Sequence, residues 1–312
     1  VNAFSHVPVL ADEAVSYLNP LPGKIYLDGT FGGGGYARKI LEAADCQVFA
    51  IDRDPAAVAR GADMAETMAG RLRVVEGRIS EILVLLGAAR IGALDGAVFD
   101  LGVSSYQIDD PARGFSFRHD GKLDMRMGQG EKTAADLVNF MAESELADMF
   151  FQLGEEKASR RVAAAIVARR AQQKFATTSD LAGVIRSVVR PDKSGIDPAT
   201  RTFLALRLAV NEELLEIEAA LEQAASLLTE GGRLVVVSFH SLEDRIVKNF
   251  FAKAAGRAPG VSRHAPASAA ARETAKFRLL TAKPVTPGAA EVAKNARARS
   301  AKLRAMERIF GP

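Results

Sequence analysis

DGTFGGGGYARKIL, residues 28–41, sets four consecutive glycines between a short apolar run and a stretch with helical periodicity. Gly32, Gly34 and Ala37 satisfy a relaxed G-x-G-x-x-[GA] pattern, and Asp52 follows Gly32 by twenty residues at the tip of the next apolar run. Glycines let backbone approach a ligand and take positive φ without a Cβ clash. An acid placed this way accepts hydrogen bonds from ribose hydroxyls. The stretch therefore reads as the adenosine-type site of an α/β sheet, with a tight turn capped by an aspartate as the plain alternative.

Working outward, KIYLD (24–28), QVFAI (47–51), LRVV (72–75) and GAVFDL (96–101) alternate with helix-compatible stretches at 35–44, 55–69 and 79–89. That alternation predicts βαβ units and a parallel sheet. GRLVVVSF (232–239) predicts a fifth, central strand after a Gly-Gly stop, and FRLLT (277–281) an edge strand. Between the fourth and fifth strands lie 130 residues, far more than a crossover needs. Helical patterns at 133–153, 155–173, 178–190 and about 200–229 fill the gap. The expected organisation is one α/β domain from residues 1–105 and 210–312, with a helical substrate-recognition domain, 106–209, inserted in it. Segment 102–130 reads as a mobile loop.

Two features steer the ligand away from a dinucleotide. Asp28 ends the first strand beside the glycines, where it repels phosphate and suits an ammonium or sulfonium. No G-K-[ST] follows to make a phosphate-binding loop. S-adenosylmethionine, cationic and free of phosphate, fits better than NAD, so a methyltransferase is favoured over an oxidoreductase. A ribosome-assembly factor with no catalysis is the reading from another class.

FDLGVSSYQIDDPARGFSF, 99–117, is the second constellation. Asp100 closes the fourth strand, where open sheets bind ligands. A carboxylate or carbonyl accepting the N–H of an exocyclic amine would localise its lone pair toward a methyl donor. Asp100 can do this itself, or hold the cofactor while Ser104 and Ser105 face the acceptor, and Tyr106 offers a face to an extruded base. Phe115 and Phe117 read as packing. In SFHSLEDRIVKNFF, 238–251, His240 with Glu243 and Asp244 resembles an acid–base or metal cluster. The simpler reading is a helix start, with Ser241 and Asp244 as its S-x-x-D and Phe250 and Phe251 packing the far end. His6, His119 and His264 are too scattered to join it, so no metal is expected.

The net charge of +3 conceals an asymmetry: residues 251–312 carry 13 Lys/Arg against three acids, the first 250 residues 28 against 35. Arg160, Arg161, Arg169, Arg170 and Lys174 mark one inserted helix, and Arg297, Arg299, Lys302, Arg304 and Arg308 the tail. Such runs are commonly solvated helix faces; beside a nucleotide-type site they point to nucleic acid. Cys46 is the single cysteine, which excludes disulfide frameworks. With no membrane-length apolar run and no signal-like start, a soluble, cytoplasmic protein is expected.

HVPVL (6–10), DGTFGGGGYARKIL, AIDRDP (50–55), DLGVSSYQIDDPARGFSF, TRTFLALRLAVNEEL (200–214), GGRLVVVSFHSLEDRIVKNFF and ARARSAKLR (296–304) together resemble the bacterial small-subunit ribosomal RNA cytosine-N4 methyltransferases. The matches run in order along nearly the whole chain. The resemblance implies a Rossmann-like class I methyltransferase fold with a mostly parallel sheet and an inserted all-helical domain. It also implies S-adenosylmethionine as cofactor and a decoding-centre cytosine as acceptor. Its partner would be small-subunit ribosomal RNA or the assembled subunit, with room for a homodimer. Cofactor contacts would come from Gly34, Gly35, Tyr36, Asp52, Ile79, Asp100 and Gln107. Tyr36 stands where the family commonly has His, and Ile79 where it often has an aromatic residue.

Overall fold

The computed structural model describes residues 8–130, 132–191, 195–257 and 275–309. The chain divides into two compact units, Val1–Gly102 with Leu214–Pro312, and Val103–Glu213. The elements of the first are α1 (Ala11–Leu18), β1 (Ile25–Asp28), α2 (Gly35–Ala43), β2 (Gln47–Asp52), α3 (Pro55–Glu66), β3 (Leu72–Glu76), α4 (Ile82–Ala88) and β4 (Leu94–Asp100). The second holds α5 (Ser105–Asp109), α6 (Ala134–Phe140), α7 (Glu143–Gly154), α8 (Ser159–Arg170), α9 (Thr178–Val188) and α10 (Thr200–Asn211). The first resumes with α11 (Glu213–Leu227), β5 (Leu228–Ser238), α12 (Ser241–Ala254), β6 (Phe277–Leu279), α13 (Ala289–Lys294) and β7 (Lys302–Arg308).

The first unit is a seven-stranded sheet in the order β3-β2-β1-β4-β5-β7-β6. The first five strands pair in parallel, and β7 runs antiparallel to both β5 and β6. Right-handed crossovers then dictate the layers. Steps from β1 to β3 move one way and put α2 and α3 on one face. Steps from β3 to β4 to β5 move the other way and put α4 and α11 on the opposite face. Two cores result: Ile40, Ala57 and Met64 pack with Val48, Val98 and Val235 on one side. Ile82, Leu86, Leu221 and Val247 pack with Phe49, Phe99 and Val236 on the other. The reversal of direction falls between β1 and β4, the place where such sheets open a crevice at their carboxyl ends.

The tail departs from expectation. The basic run reads as a helix surface, yet 302–308 is a strand inside the sheet, with Leu303, Ala305 and Met306 buried. Arg304 Nε donates to Asp244 Oδ1 (2.7 Å), Lys302 Nζ to Asp244 Oδ2 (3.1 Å), and Arg308 to the Ala225 carbonyl. Much of the tail's charge is thus spent on the fold. The alternation K-L-R-A was the available signal, hidden by the charge count. FRLLT does form the edge strand, as β6.

The second unit has its own core, including Leu146, Phe150, Val162, Ile166, Leu181, Ile185 and Leu206. Helix 133–153 is two helices, broken by extended backbone at Met141 and Ala142. The 200–229 run breaks at Glu212, which takes a left-handed turn at φ 53°. Segment 102–130 is pinned rather than loose. Asn211, 1% exposed, accepts from the Met127 amide (2.9 Å) and donates to the Met125 carbonyl (2.8 Å). Arg113 donates to the carbonyls of Arg126 and Met127, and Lys122 bridges to Thr177. Such side-chain-to-backbone ties leave no periodic trace in sequence. Phe117 packs edge-on to Phe203 with centroids 4.8 Å apart, and both it and Phe115 lie against this core.

Candidate active site

The strands β1, β2 and β4 each end on an aspartate: Asp28, Asp52 and Asp100. Asp28 stands opposite Val98 in the β1–β4 register, so Asp100 lies two residues further along the neighbouring strand. Asp28 is 1% exposed and caps the turn, accepting from the amides of Thr30 (3.2 Å) and Ala37 (3.1 Å). The Asp100 amide donates to Thr30 Oγ1 at 2.6 Å. Its Oδ1 is buried and has no hydrogen-bond partner among the described residues.

Between these acids the glycines make the turn. Gly32 and Gly34 have φ of 54° and 74°, a region that disfavours side chains. A Cβ on Gly34 would also sit 2.7 Å from the Phe31 ring and 2.8 Å from Met64 Sδ. One on Gly35 would meet Pro8 at 2.7 Å. Asp52 ties this loop to β2: its Oδ2 accepts from the Gly32 amide (2.7 Å) and its Oδ1 from the Asp54 amide (2.9 Å). The Gly77 amide bonds the Asp52 carbonyl (3.0 Å), which sets Ile79, at the start of a single 3-10 turn, just beyond the acid. Ile79 is partly buried against the second core. The Tyr36 ring is buried and its hydroxyl donates to the Val9 carbonyl, leaving its backbone as what it can offer a ligand.

The electrostatics are unusual for exposed-chemistry aspartates. Burial, partly offset by its two amide donors and reinforced by Asp52, pushes Asp28 up to about 7. Burial, with Asp28 and Glu243 beside it, drives Asp100 well above the carboxylate range. Burial also raises Asp52. Desolvation penalises the charged form, and like charges add to the penalty.

Glu243, which the sequence groups with His240 and Asp244 as a candidate acid–base or metal cluster, is fully buried. The cap of α12 is His240, not Ser241: His240 Nδ1 accepts from the Glu243 amide and Glu243 Oε2 from the amides of Phe239 and His240. His240 Nε2 lies 3.0 Å from Glu243 Oε1. Asp244 turns away to Lys302 and Arg304. No group of three His, Cys, Asp or Glu side chains among the described residues could hold a metal. His6 and His264 fall outside those residues.

The other predicted residues belong to the second unit. Ser104 caps α5, its hydroxyl accepting from the Gln107 amide (3.3 Å) while Gln107 Oε1 accepts from the Ser104 amide (3.0 Å). Gln107 is buried; Ser105 and Tyr106 are half-buried on the same short helix.

The profile of the MraW methylase family matches residues 3–309. The chain belongs to that family. It is 64% identical over 306 residues to the ribosomal RNA small subunit methyltransferase H of Acidiphilium cryptum, covering 98% of each chain. It is 57% identical to that of Granulibacter bethesdensis, over 97% of this chain and 91% of the relative. Among solved structures, a putative rRNA-methylase from Clostridium thermocellum aligns at 11% identity with a TM-score of 0.45, over 99% of this chain and 100% of that one. So does an S-adenosylhomocysteine complex of a putative methyltransferase from Streptococcus mutans, at 12% and 0.44, over 98% and 100%. Membership in a methylase family fits a sheet with three aspartates at the carboxyl ends of adjacent strands.

Proposed function

We propose that this protein is an S-adenosylmethionine-dependent methyltransferase of small-subunit ribosomal RNA, and that its acceptor is the N4 amine of a decoding-centre cytosine. The observation that carries the cofactor assignment is the row of three strand-ending aspartates at the carboxyl edge beside a glycine turn, Asp28 buried and Asp52 and Asp100 half-buried. That edge repels a pyrophosphate and welcomes a cation. The unpaired buried carboxylate oxygen on Asp100 supports a cationic ligand there. The RNA assignment is supported by family membership and by what its relatives are named for.

In this reading Gly32, Gly34, Gly35 and the Tyr36 backbone line the cofactor, Asp52 accepts from its ribose, and Ile79 covers one side of its base. Asp100 and Gln107 complete the set. Bound there, the cofactor supplies an electrophilic methyl group. An amine conjugated to a pyrimidine ring is a poor nucleophile, so alignment and a polarising acceptor supply most of the rate. Asp100 polarises the amine. Ser104, Ser105 and Tyr106, which follow it within six residues of chain, are assigned to the acceptor side on that proximity alone.

The test is direct. Labelled S-adenosylmethionine is incubated with small subunits lacking the modification, and the labelled nucleoside is identified by mass spectrometry after digestion. N4-methylated cytidine is expected, with turnover collapsing in Asp100→Asn at saturating cofactor. Label on a ring carbon, on ribose or on protein refutes the assignment, and so does full activity in Asp100→Asn.

A further inference from the structure

We propose that the carboxyl pair Asp28 and Asp100 holds a proton in the ligand-free protein. S-adenosylmethionine would displace that proton on binding, and S-adenosylhomocysteine would leave it in place. The inference rests on the cofactor assignment above and concerns what this chain's own acids do toward it.

The geometry is a pair of adjacent strand ends inside one unit. Asp28 is buried, with both oxygens held by amides of the turn. Asp100 Oδ1 is buried without a partner among the described residues, and neither carboxylate forms an ion pair there. The groups facing them are nearly all acidic or neutral. Asp52 approaches from β2, Tyr36 from α2 and Glu243 from α12. Arg60 of α3 acts on Asp52, and Glu291 and Glu13 act on Tyr36.

Two carboxyls at adjacent strand ends, with no cation beside them among the described residues, resist ionising together, and the charge of Asp28 adds to the burial that raises Asp100. Asp28 is itself pushed up by burial and by Asp52, so both groups favour a proton when no cation is near. The two ligands differ where it matters. The methionine form carries a sulfonium, the homocysteine form a neutral thioether, and their ammonium, carboxylate and adenosine groups are shared. A sulfonium beside the pair favours its fully ionised state, so the proton leaves. A thioether gives no such reason.

The cycle then closes in charge. In methyl transfer the S–CH3 bond breaks with its electron pair remaining on sulfur, a bond from the acceptor nitrogen to carbon forms, and that nitrogen sheds one proton. The carboxyl pair, now facing a neutral sulfur, regains its proton affinity at that moment and takes up one proton. Product binding is thereby matched to the protonated pair and cofactor binding to the ionised one.

Isothermal titration calorimetry of the full-length protein without RNA tests this. Each ligand is titrated at about pH 6, 7 and 8, in two buffers of different ionisation enthalpy, which yields the protons released. S-adenosylmethionine should release on the order of one proton more than S-adenosylhomocysteine near pH 7. Its affinity relative to the product should climb by up to about tenfold per pH unit below pH 7 and level off above. Asp100→Asn removes one charge and no side-chain hydrogen bond seen among the described residues, and should shrink the difference. Equal proton release by two ligands that both bind would overturn the proposal while sparing the cofactor assignment. Failure of both to bind would overturn the two together.

Discussion

At the scale of single residues, Asp52 does two jobs with one carboxylate. It holds the Gly32 amide and the Asp54 amide, and it is the acceptor proposed for the ribose. Hydrogen bonds to a charged group contribute about 1.5–3 kcal/mol, so Asp52→Ala should weaken S-adenosylmethionine binding roughly tenfold to a hundredfold by calorimetry. Affinity equal to wild type would move the cofactor elsewhere. Asp28 makes a second, pH-dependent prediction. Its folded pKa, about 7, lies above the unfolded value of about 3.9, so the native state keeps a proton that the unfolded chain releases. That contribution is fully present below about pH 4 and is lost as pH rises toward 7. Asp244, lowered mainly by Arg304 and Lys302 against its burial, works in the opposite sense: its contribution is present above about pH 4 and lost on acidification. Thermal unfolding of the ligand-free protein should therefore give a higher midpoint near pH 5 than near pH 7.5, with Asp28→Asn flattening the decline. A midpoint that rises steadily to pH 8 in wild type would contradict the buried-acid account.

At the scale of elements, β7 changes what the basic tail is for. Read as a solvated run, the tail is dispensable for folding and its loss weakens only RNA binding. Paired between β5 and β6, with Arg304 and Lys302 locked on Asp244, it belongs to the body of the sheet. Deleting 302–312 strips the ladder from β5 and leaves a buried acid unpartnered, which costs several kcal/mol by itself. The truncated protein should lose its cooperative melt in circular dichroism and become protease-sensitive throughout the first unit. A truncated chain that melts like the full one and only binds RNA less well would restore the solvated-tail reading.

At the scale of the whole molecule, the free positive charge is narrower than composition suggests. Arg169 is paired with Asp180, Arg170 donates to the Val138 carbonyl, and Lys174 lies 4.5 Å over the Phe140 ring. Arg160 and Arg161, at the exposed start of α8, have no ion-pair partner among the described residues. Each phosphate contact contributes about −0.7 to −0.9 to the log–log salt slope of nucleic-acid binding. Charge reversal of both, Arg160→Glu with Arg161→Glu, should flatten that slope by about 1.4–1.8 if each touches one phosphate. Binding measured from low to moderate salt decides it; an unaltered slope in a folded variant would assign RNA contact to other residues.

What sequence alone determined was whatever depends on local chemistry. The glycine turn, the strand-ending acids Asp28, Asp52 and Asp100, the alternation of β and α, and the long helical interruption all follow from steric freedom and from apolar period, which are properties of neighbouring residues. What only tertiary structure decided depended on partners far along the chain. Lys302–Arg308 became a strand because β5 needed a second neighbour, and Asp244 became its anchor rather than a helix cap. Segment 102–130 became ordered because Asn211, more than eighty residues away, replaced the ladder bonds its backbone lacked. The proton affinity of Asp28 and Asp100 belongs to this second class too. Any aspartate has the same carboxyl group, and it is burial beside other acids, created by the meeting of β1, β4 and α12, that decides whether it is charged.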